Sequence, residues 1–222
     1  MSNKLDHIRG ILFDFDFTLA DSSKGVLECV NYALSNLHFR KFSEEEINKT
    51  IGLSLDHKFK MLVGNEHSNK TEEFQHYFIK RADEVMAKLT KLYTFTPKII
   101  KLLYTNGFKL GIVSTKFRYR IEHILTRENL LRFFEVIVGG EDVQKLKPNP
   151  FGLCLAIKKL NLDLSNVIYV GDSVTDSETA YNAGVSFIAS LSGVTPKEKF
   201  KQSQVKFFIE DLSSLPTILA IN

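Results

Sequence analysis

Cysteine is scarce in this 222-residue chain: Cys29 and Cys154 lie far apart, with no Cys or His nearby at metal-ligand spacing. That excludes a disulfide framework and a zinc site, and it predicts two buried thiols in a reducing cytoplasm. Long apolar runs are missing too. None approaches the roughly 20 residues a membrane-spanning helix needs. The opening stretch MSNKLDHIRG is polar, without the apolar core of a secretion signal. The expectation is a soluble, cytoplasmic protein with no membrane partner. Charge of one sign is also in short supply, since 29 Lys and Arg against 26 Asp and Glu give +3, dispersed along the chain. Such dispersion argues against a nucleic-acid partner.

With 44% hydrophobic and 25% charged residues, the chain can build one large domain, or a domain carrying a smaller insertion. Five short β-branched or aromatic segments stand out: GILFDFD (10–16), FKLGIVS (108–114), FEVIVGG (134–140), NVIYVGD (166–172) and VSFIAS (185–190). Apolar runs of this kind suit parallel strands covered on both faces. Helix starts fall between them. Thr96-Pro97 and Asn149-Pro150 each place a capping side chain before proline, and Thr175 with Glu178 matches a capping box. The alternation predicts an α/β fold, a doubly wound, Rossmann-like parallel sheet with helices on both faces.

From about Ser23 to Lys91 the rhythm breaks. KGVLECVNYALSNL and EEFQHYFIKRADEVMAKL carry apolar residues at helical spacing, and Ser43 with Glu46 forms another capping box. The predicted organisation is a core of residues 1–20 and 92–222, interrupted by a small helical insertion over 21–91.

In a doubly wound sheet, ligands bind beyond the carboxyl ends of the strands. The first predicted strand ends in Asp14-Phe15-Asp16-Phe17-Thr18, the second in Ser114-Thr115-Lys116. The third leads to Lys147-Pro148, and the fourth ends in GDSVTD with Asp172 and Asp176. Three acids near one point call for a cation, and all-oxygen ligands suit Mg²⁺. Acids, hydroxyls and a lysine around a metal are what phosphoryl transfer requires, with a carboxylate able to act as nucleophile.

These residues resemble the haloacid dehalogenase-like superfamily of phosphohydrolases, in the branch of phosphoglycolate phosphatase and β-phosphoglucomutase. DFDFT is similar to the family's D-x-D-x-T, Ser114 to its second-motif hydroxyl, KPNP to K-P-x-P and GDSVTD to G-D-S-x-x-D. The resemblance implies that Asp14 is nucleophile and Mg²⁺ ligand. It implies that Asp16 is general acid then base, with its main-chain carbonyl on the metal. Thr18, Ser114, Thr115 and Lys147 would hold the phosphoryl group, Asp172 would bind Mg²⁺, and Asp176 would support the metal or Lys147. The helical insertion would be the family's small cap. The implied function is hydrolysis of a small phosphorylated metabolite through an aspartyl-phosphate, with phosphoglycolate the leading candidate. Alternatives are a phosphomutase, a pyrophosphatase or nucleotidase, or a non-catalytic binding module on the same fold.

Several residues have plainer readings. A calcium loop starting at Asp14 lacks glycine at its sixth position (Leu19) and glutamate at its twelfth (Gly25). Lys145 could exchange roles with Lys147. Lys116, Arg118 and Arg120 after the second strand are placed to meet an anionic substrate, but read better as a solvated helix face. TIGLSL (50–55) is either a specificity loop or a helix connection. None of the six histidines has a catalytic partner pattern. Phe17 stands where the family usually has glycine, and is expected to lose that backbone latitude and set a ring near the site entrance.

Overall fold

The computed structural model describes residues 5–201 and 204–221. The chain divides into two compact units: one formed by the chain up to Ala20 and from Leu92 onward, the other by Asp21–Lys91.

Among the described residues the strands are β1 (Gly10–Phe13), β2 (Ala20–Asp21), β3 (Lys91–Leu92), β4 (Lys109–Val113), β5 (Val136–Val138), β6 (Val167–Gly171), β7 (Ser186–Ser190) and β8 (Phe207–Ile209). The α-helices are α1 (Ser23–Asn36), α2 (Glu44–Asn48), α3 (Leu55–Val63), α4 (Thr71–Leu89), α5 (Thr96–Thr105), α6 (Arg118–Arg127), α7 (Phe151–Lys159), α8 (Val174–Ala183) and α9 (Leu215–Ile218). Six strands form one sheet in the order β5-β4-β1-β6-β7-β8, and every neighbouring pair is parallel. The two-residue strands β2 and β3 pair with each other.

Every residue of β1 and β6 is buried. Successive strand side chains point to opposite faces, so full burial means that both faces of the central sheet are covered. Leu12, Val113, Val138, Leu153, Ile157, Tyr169 and Phe187 belong to one apolar cluster. The chain runs outward from β1 to β4 and β5, then returns to the other side of β1 for β6, β7 and β8. That reversal is the topological switch at which such sheets bind ligands. Register aligns it: Phe13 pairs with Ile112 and Val170, so Asp14 is level with Val113 and Gly171, and Ser114 and Asp172 follow one residue on.

Local signals were only partly where the sequence put them. The Ser43–Glu46 capping box is present in both directions. At α8 the box is Ser173 with Asp176, because Ser173 is the extended residue whose hydroxyl meets the third helical N–H; Thr175 lies inside the helix. Asn149 accepts from Phe151 N–H at 3.0 Å, and α7 begins at that residue. Thr96 is helical rather than a cap, and its hydroxyl donates to the Leu19 carbonyl at 2.8 Å. The strand expected over 134–140 narrows to Val136–Val138, since Gly139 N–H turns to the Asp142 carboxylate. The edge strand β8 was not foreseen. Cys29 is buried, but Cys154 is exposed, correcting the expectation of two buried thiols. On α7 the inward positions are Gly152, Leu153, Ala156 and Ile157, which leaves 154 on the outer side.

The Asp21–Lys91 unit is helical, with Val26, Cys29, Val30, Leu34, Phe59, Phe74, Phe78 and Met86 in its core. TIGLSL connects α2 to α3. Within it, Thr50 is buried and accepts from Lys58 Nζ through its carbonyl (2.7 Å) and hydroxyl (3.0 Å), and Ser54 caps α3. No helix among the described residues is long and apolar enough to cross a membrane.

Candidate active site

Asp14 follows β1 directly, and its N–H continues the ladder to the Val170 carbonyl at 2.9 Å. The chain then folds into a tight turn. Phe17 N–H donates to Ala20, and the N–H groups of Leu19 and Ala20 both donate to Phe15. Phe17 sits in the left-handed region at φ 61°, a conformation that costs a side-chain-bearing residue about 1–2 kcal/mol. Two features offset that cost: its ring is buried, and its carbonyl accepts from Ser192 Oγ at 2.7 Å. Phe17 therefore keeps the backbone conformation that glycine would supply, and its side chain is buried.

Lys147 links three groups. Its Nζ lies 2.6 Å from Asp176 Oδ1, 3.1 Å from the Tyr169 hydroxyl and 3.0 Å from Asp14 Oδ1. Lys145 is exposed, so Lys147 is the lysine delivered to the strand ends. Tyr169 was not foreseen. Its hydroxyl contacts the Val113 carbonyl (2.9 Å) and Asp176 Oδ1 (2.8 Å), tying the end of β4 to the lysine. The available signal was a phenol in the middle of the apolar run VIYVG. Asp176 is saturated, with Lys147 and Tyr169 on one oxygen and the Ser173 N–H and hydroxyl on the other. Gly171 allows this approach, since a Cβ there would stand 2.6 Å from Asp176 Cγ.

The carboxylates of Asp14, Asp172 and Asp176 each bring an oxygen within 4.8 Å of the others, all buried. Asp14 Oδ1 and Asp16 Oδ1 are buried without a hydrogen-bond donor. The lysines at 3.0 and 3.1 Å make ion pairs with them but lie off the hydrogen-bonding direction. Burial pushes the Asp14 carboxyl up to about 7; Lys147 pulls it down, Asp176 and Asp16 raise it further, and the Ser114 hydroxyl lowers it. Asp172 is raised well above the carboxylate range by burial, then by Asp176 and Asp14. Burial disfavours the Lys147 cation, yet Asp14 and Asp176 together hold it above the ordinary lysine value. An excess of buried negative charge, oxygen-only donors and open lone pairs on Asp14 fit a hard divalent cation such as Mg²⁺.

The cluster holds Asp14 and Asp172, both expected at the metal, together with Asp176, expected in support. The Asp16 carboxylate turns to Lys116 Nζ at 3.1 Å. It thus stays apart from the cluster, as the implied metal contact through the Asp16 main-chain carbonyl allows. Thr18 is fully buried, and its hydroxyl donates to Asp172 Oδ1 at 3.2 Å, so it orients a carboxylate where a phosphoryl contact was expected. Ser114 Oγ accepts from Lys116 N–H at 3.3 Å, and Thr115 is half-buried beside it. The solvated helix face is corrected at two of its three positions. Lys116 is buried in its pair with Asp16, and Arg120 is buried with its guanidinium 4.9 Å from the centre of the Phe117 ring. Arg118 is taken up by Asp142 and Glu122.

Residues 11–190 match the family model described as haloacid dehalogenase-like hydrolase. The chain belongs to the haloacid dehalogenase-like hydrolases. Among similar proteins, a pyrophosphatase PpaX from Listeria monocytogenes is 30% identical over 214 residues, 96% of each chain. A phosphoglycolate phosphatase from Yersinia pseudotuberculosis is 30% identical over 198 residues, 86% of this chain and 84% of the relative. The crystal structure of a haloacid dehalogenase-like hydrolase from Bacteroides fragilis superposes with TM-score 0.90 at 38% identity, covering 94% of this chain and 99% of that one. This haloacid dehalogenase-like chain is accordingly a hydrolase of the phosphatase branch, and its sheet is the fold of that family.

Proposed function

We propose that the chain is a Mg²⁺-dependent phosphatase acting on a small phosphorylated metabolite through an aspartyl-phosphate on Asp14. The observation that carries this is the pairing of an unbonded, buried Asp14 Oδ1 with Lys147 at 3.0 Å and two further acids. Asp14 attacks phosphorus, the ester P–O bond breaks, and Asp16 gives its proton to the departing oxygen. Asp16 then takes a proton from water, which attacks the aspartyl-phosphate and restores Asp14 with release of inorganic phosphate. Lys147 neutralises phosphoryl charge, and Ser114 donates to a phosphoryl oxygen. Thr18, Tyr169 and Asp176 hold Asp172 and Lys147 in position. Asp14 and Asp172 with the Asp16 carbonyl would hold Mg²⁺, which supplies charge neutralisation at the transferring group. The Asp21–Lys91 unit takes the role of the family's helical cap, excluding water during turnover.

Phosphoglycolate is the leading substrate by resemblance. Inorganic pyrophosphate is a second reading, favoured by the pyrophosphatase-named relative that matches almost the whole chain. A cytoplasmic location and the absence of a nucleic-acid partner go with either. Hydrolysis of p-nitrophenyl phosphate with Mg²⁺ and with EDTA tests the chemistry. Release of nitrophenol that EDTA suppresses and Asp14→Asn abolishes supports it; release by folded Asp14→Asn equal to the parent overturns it. Ranking kcat/KM over phosphoglycolate, pyrophosphate and nucleotides then selects the substrate.

A further inference from the structure

The phosphatase reading employs one of the two buried ammonium groups at the strand ends, Lys147. The other, Lys116, has no part in it. Its side chain is 4% exposed, and Asp16 is the ion partner the structure gives it, at 3.1 Å and off the hydrogen-bonding direction. Its backbone is fixed on both sides: its N–H donates to Ser114 Oγ at 3.3 Å, and its carbonyl accepts from Gly140 N–H at 3.1 Å. The ammonium is thus held at a set place beside the acid, on the first turn of chain after β4.

Resting on the phosphatase reading, we infer that Lys116 is a specificity-determining residue which selects phosphoryl substrates whose leaving group carries a negative charge. In an in-line displacement the departing oxygen lies opposite the attacking Asp14, and Asp16 must come within hydrogen-bond reach of it to deliver a proton. The departing oxygen then lies within about 6 Å of the ammonium, two hydrogen-bond lengths away, and a group bonded to it can turn toward the cation. In a site this poor in water a cation on the leaving side attracts a carboxylate or a second phosphate strongly. A neutral alkyl or hydroxyalkyl group gains nothing there. The same cation does not discriminate among transferred phosphoryl groups, which are alike in every substrate.

A matched pair of esters tests this: 2-phosphoglycolate, with a carboxylate on the leaving group, and 2-hydroxyethyl phosphate, without one. The full-length parent is expected to prefer the anionic ester. Lys116→Met should lower kcat/KM for it by about tenfold or more, the scale of one charge-assisted contact. The neutral ester should lose only what Asp16 loses with its ion partner, so the preference for the anionic ester should fall about tenfold, and Lys116→Arg should keep that preference. An equal loss on both esters, or a parent without preference, overturns the assignment, because a merely structural lysine cannot tell the two apart. Binding of phosphonoacetate and ethylphosphonate by calorimetry reads the same preference without turnover. Charge preference in binding with no hydrolysis of any ester overturns the phosphatase reading and leaves Lys116 assigned; hydrolysis without charge preference does the reverse. Should Lys116→Met fail to fold, Lys116→Gln and the arginine variant carry the comparison, with loss of preference expected in the first only.

Discussion

A carboxyl group removed from water holds its proton more tightly, and Asp14 shows how far that can go: from an ordinary 3.8 to about 7. The folded protein binds that proton up to about pH 7, while the unfolded chain releases it near 4. Between those limits the folded state carries the extra proton, so without metal its stability falls as pH rises from about 4 to about 7 and levels off above. Asp172 shifts in the same direction. In EDTA, the melting temperature measured by calorimetry should therefore be higher at pH 5.5 than at pH 7.5. Mg²⁺, which binds the charged carboxylates, should raise it more at the higher pH. Phe17 gives a second residue-level expectation. Phe17→Gly relieves about 1–2 kcal/mol of left-handed backbone cost but loses the burial of a ring worth about 1.5–3 kcal/mol. Denaturant unfolding should show a net loss of about 1 kcal/mol, and an unchanged ranking of substrates would mark the ring as packing only. Tyr169→Phe removes one hydroxyl shared by Lys147, Asp176 and the Val113 carbonyl. It should cost about 1 kcal/mol in stability and lower kcat about tenfold at nearly constant KM.

At the scale of elements, the start of α8 serves two purposes. The Ser173 hydroxyl caps the helix and also occupies the far oxygen of Asp176, whose near oxygen holds Lys147. Ser173→Ala should cost about 1 kcal/mol of stability, the usual worth of a cap. It should also reduce kcat by less than Asp176→Asn does, since Lys147 keeps its direct partner; steady-state kinetics and melting of the two variants check this. The strand ends were legible in the sequence because each apolar run stops at a polar residue, and parallel strands place such stops on one edge. Lys147 could be separated from Lys145 only by seeing which one reaches the site. The burial of Lys116 could not be read, since it depends on Asp16, which comes from a different strand end. The three-residue β8 gave no periodicity to detect, and the Ser173 box was missed in favour of Thr175 because both pairs match the same four-residue pattern.

At the scale of the molecule, the two units differ in how the chain makes them. Asp21–Lys91 is contiguous and helical, whereas the sheet unit joins Gly10–Phe13 of β1 to Lys109–Ile112 on one side and Val167–Val170 on the other. Local helical contacts form faster than distant parallel pairings. Pulse-labelled hydrogen exchange during refolding should show amides of α1 and α4 protected before those of β1; simultaneous protection would contradict this order. The central place of β1 has a further consequence on the ribosome. The segment bearing Asp14 and Asp16 is made well before the partner on its β6 side, which follows only after β4 and β5. Until then the growing polypeptide presents an apolar strand with a bare edge, an invitation to misassociation. A nascent chain arrested just before residue 167 should thus be a client for chaperones, and the enzyme's chemistry can begin only once that last partner has been synthesised.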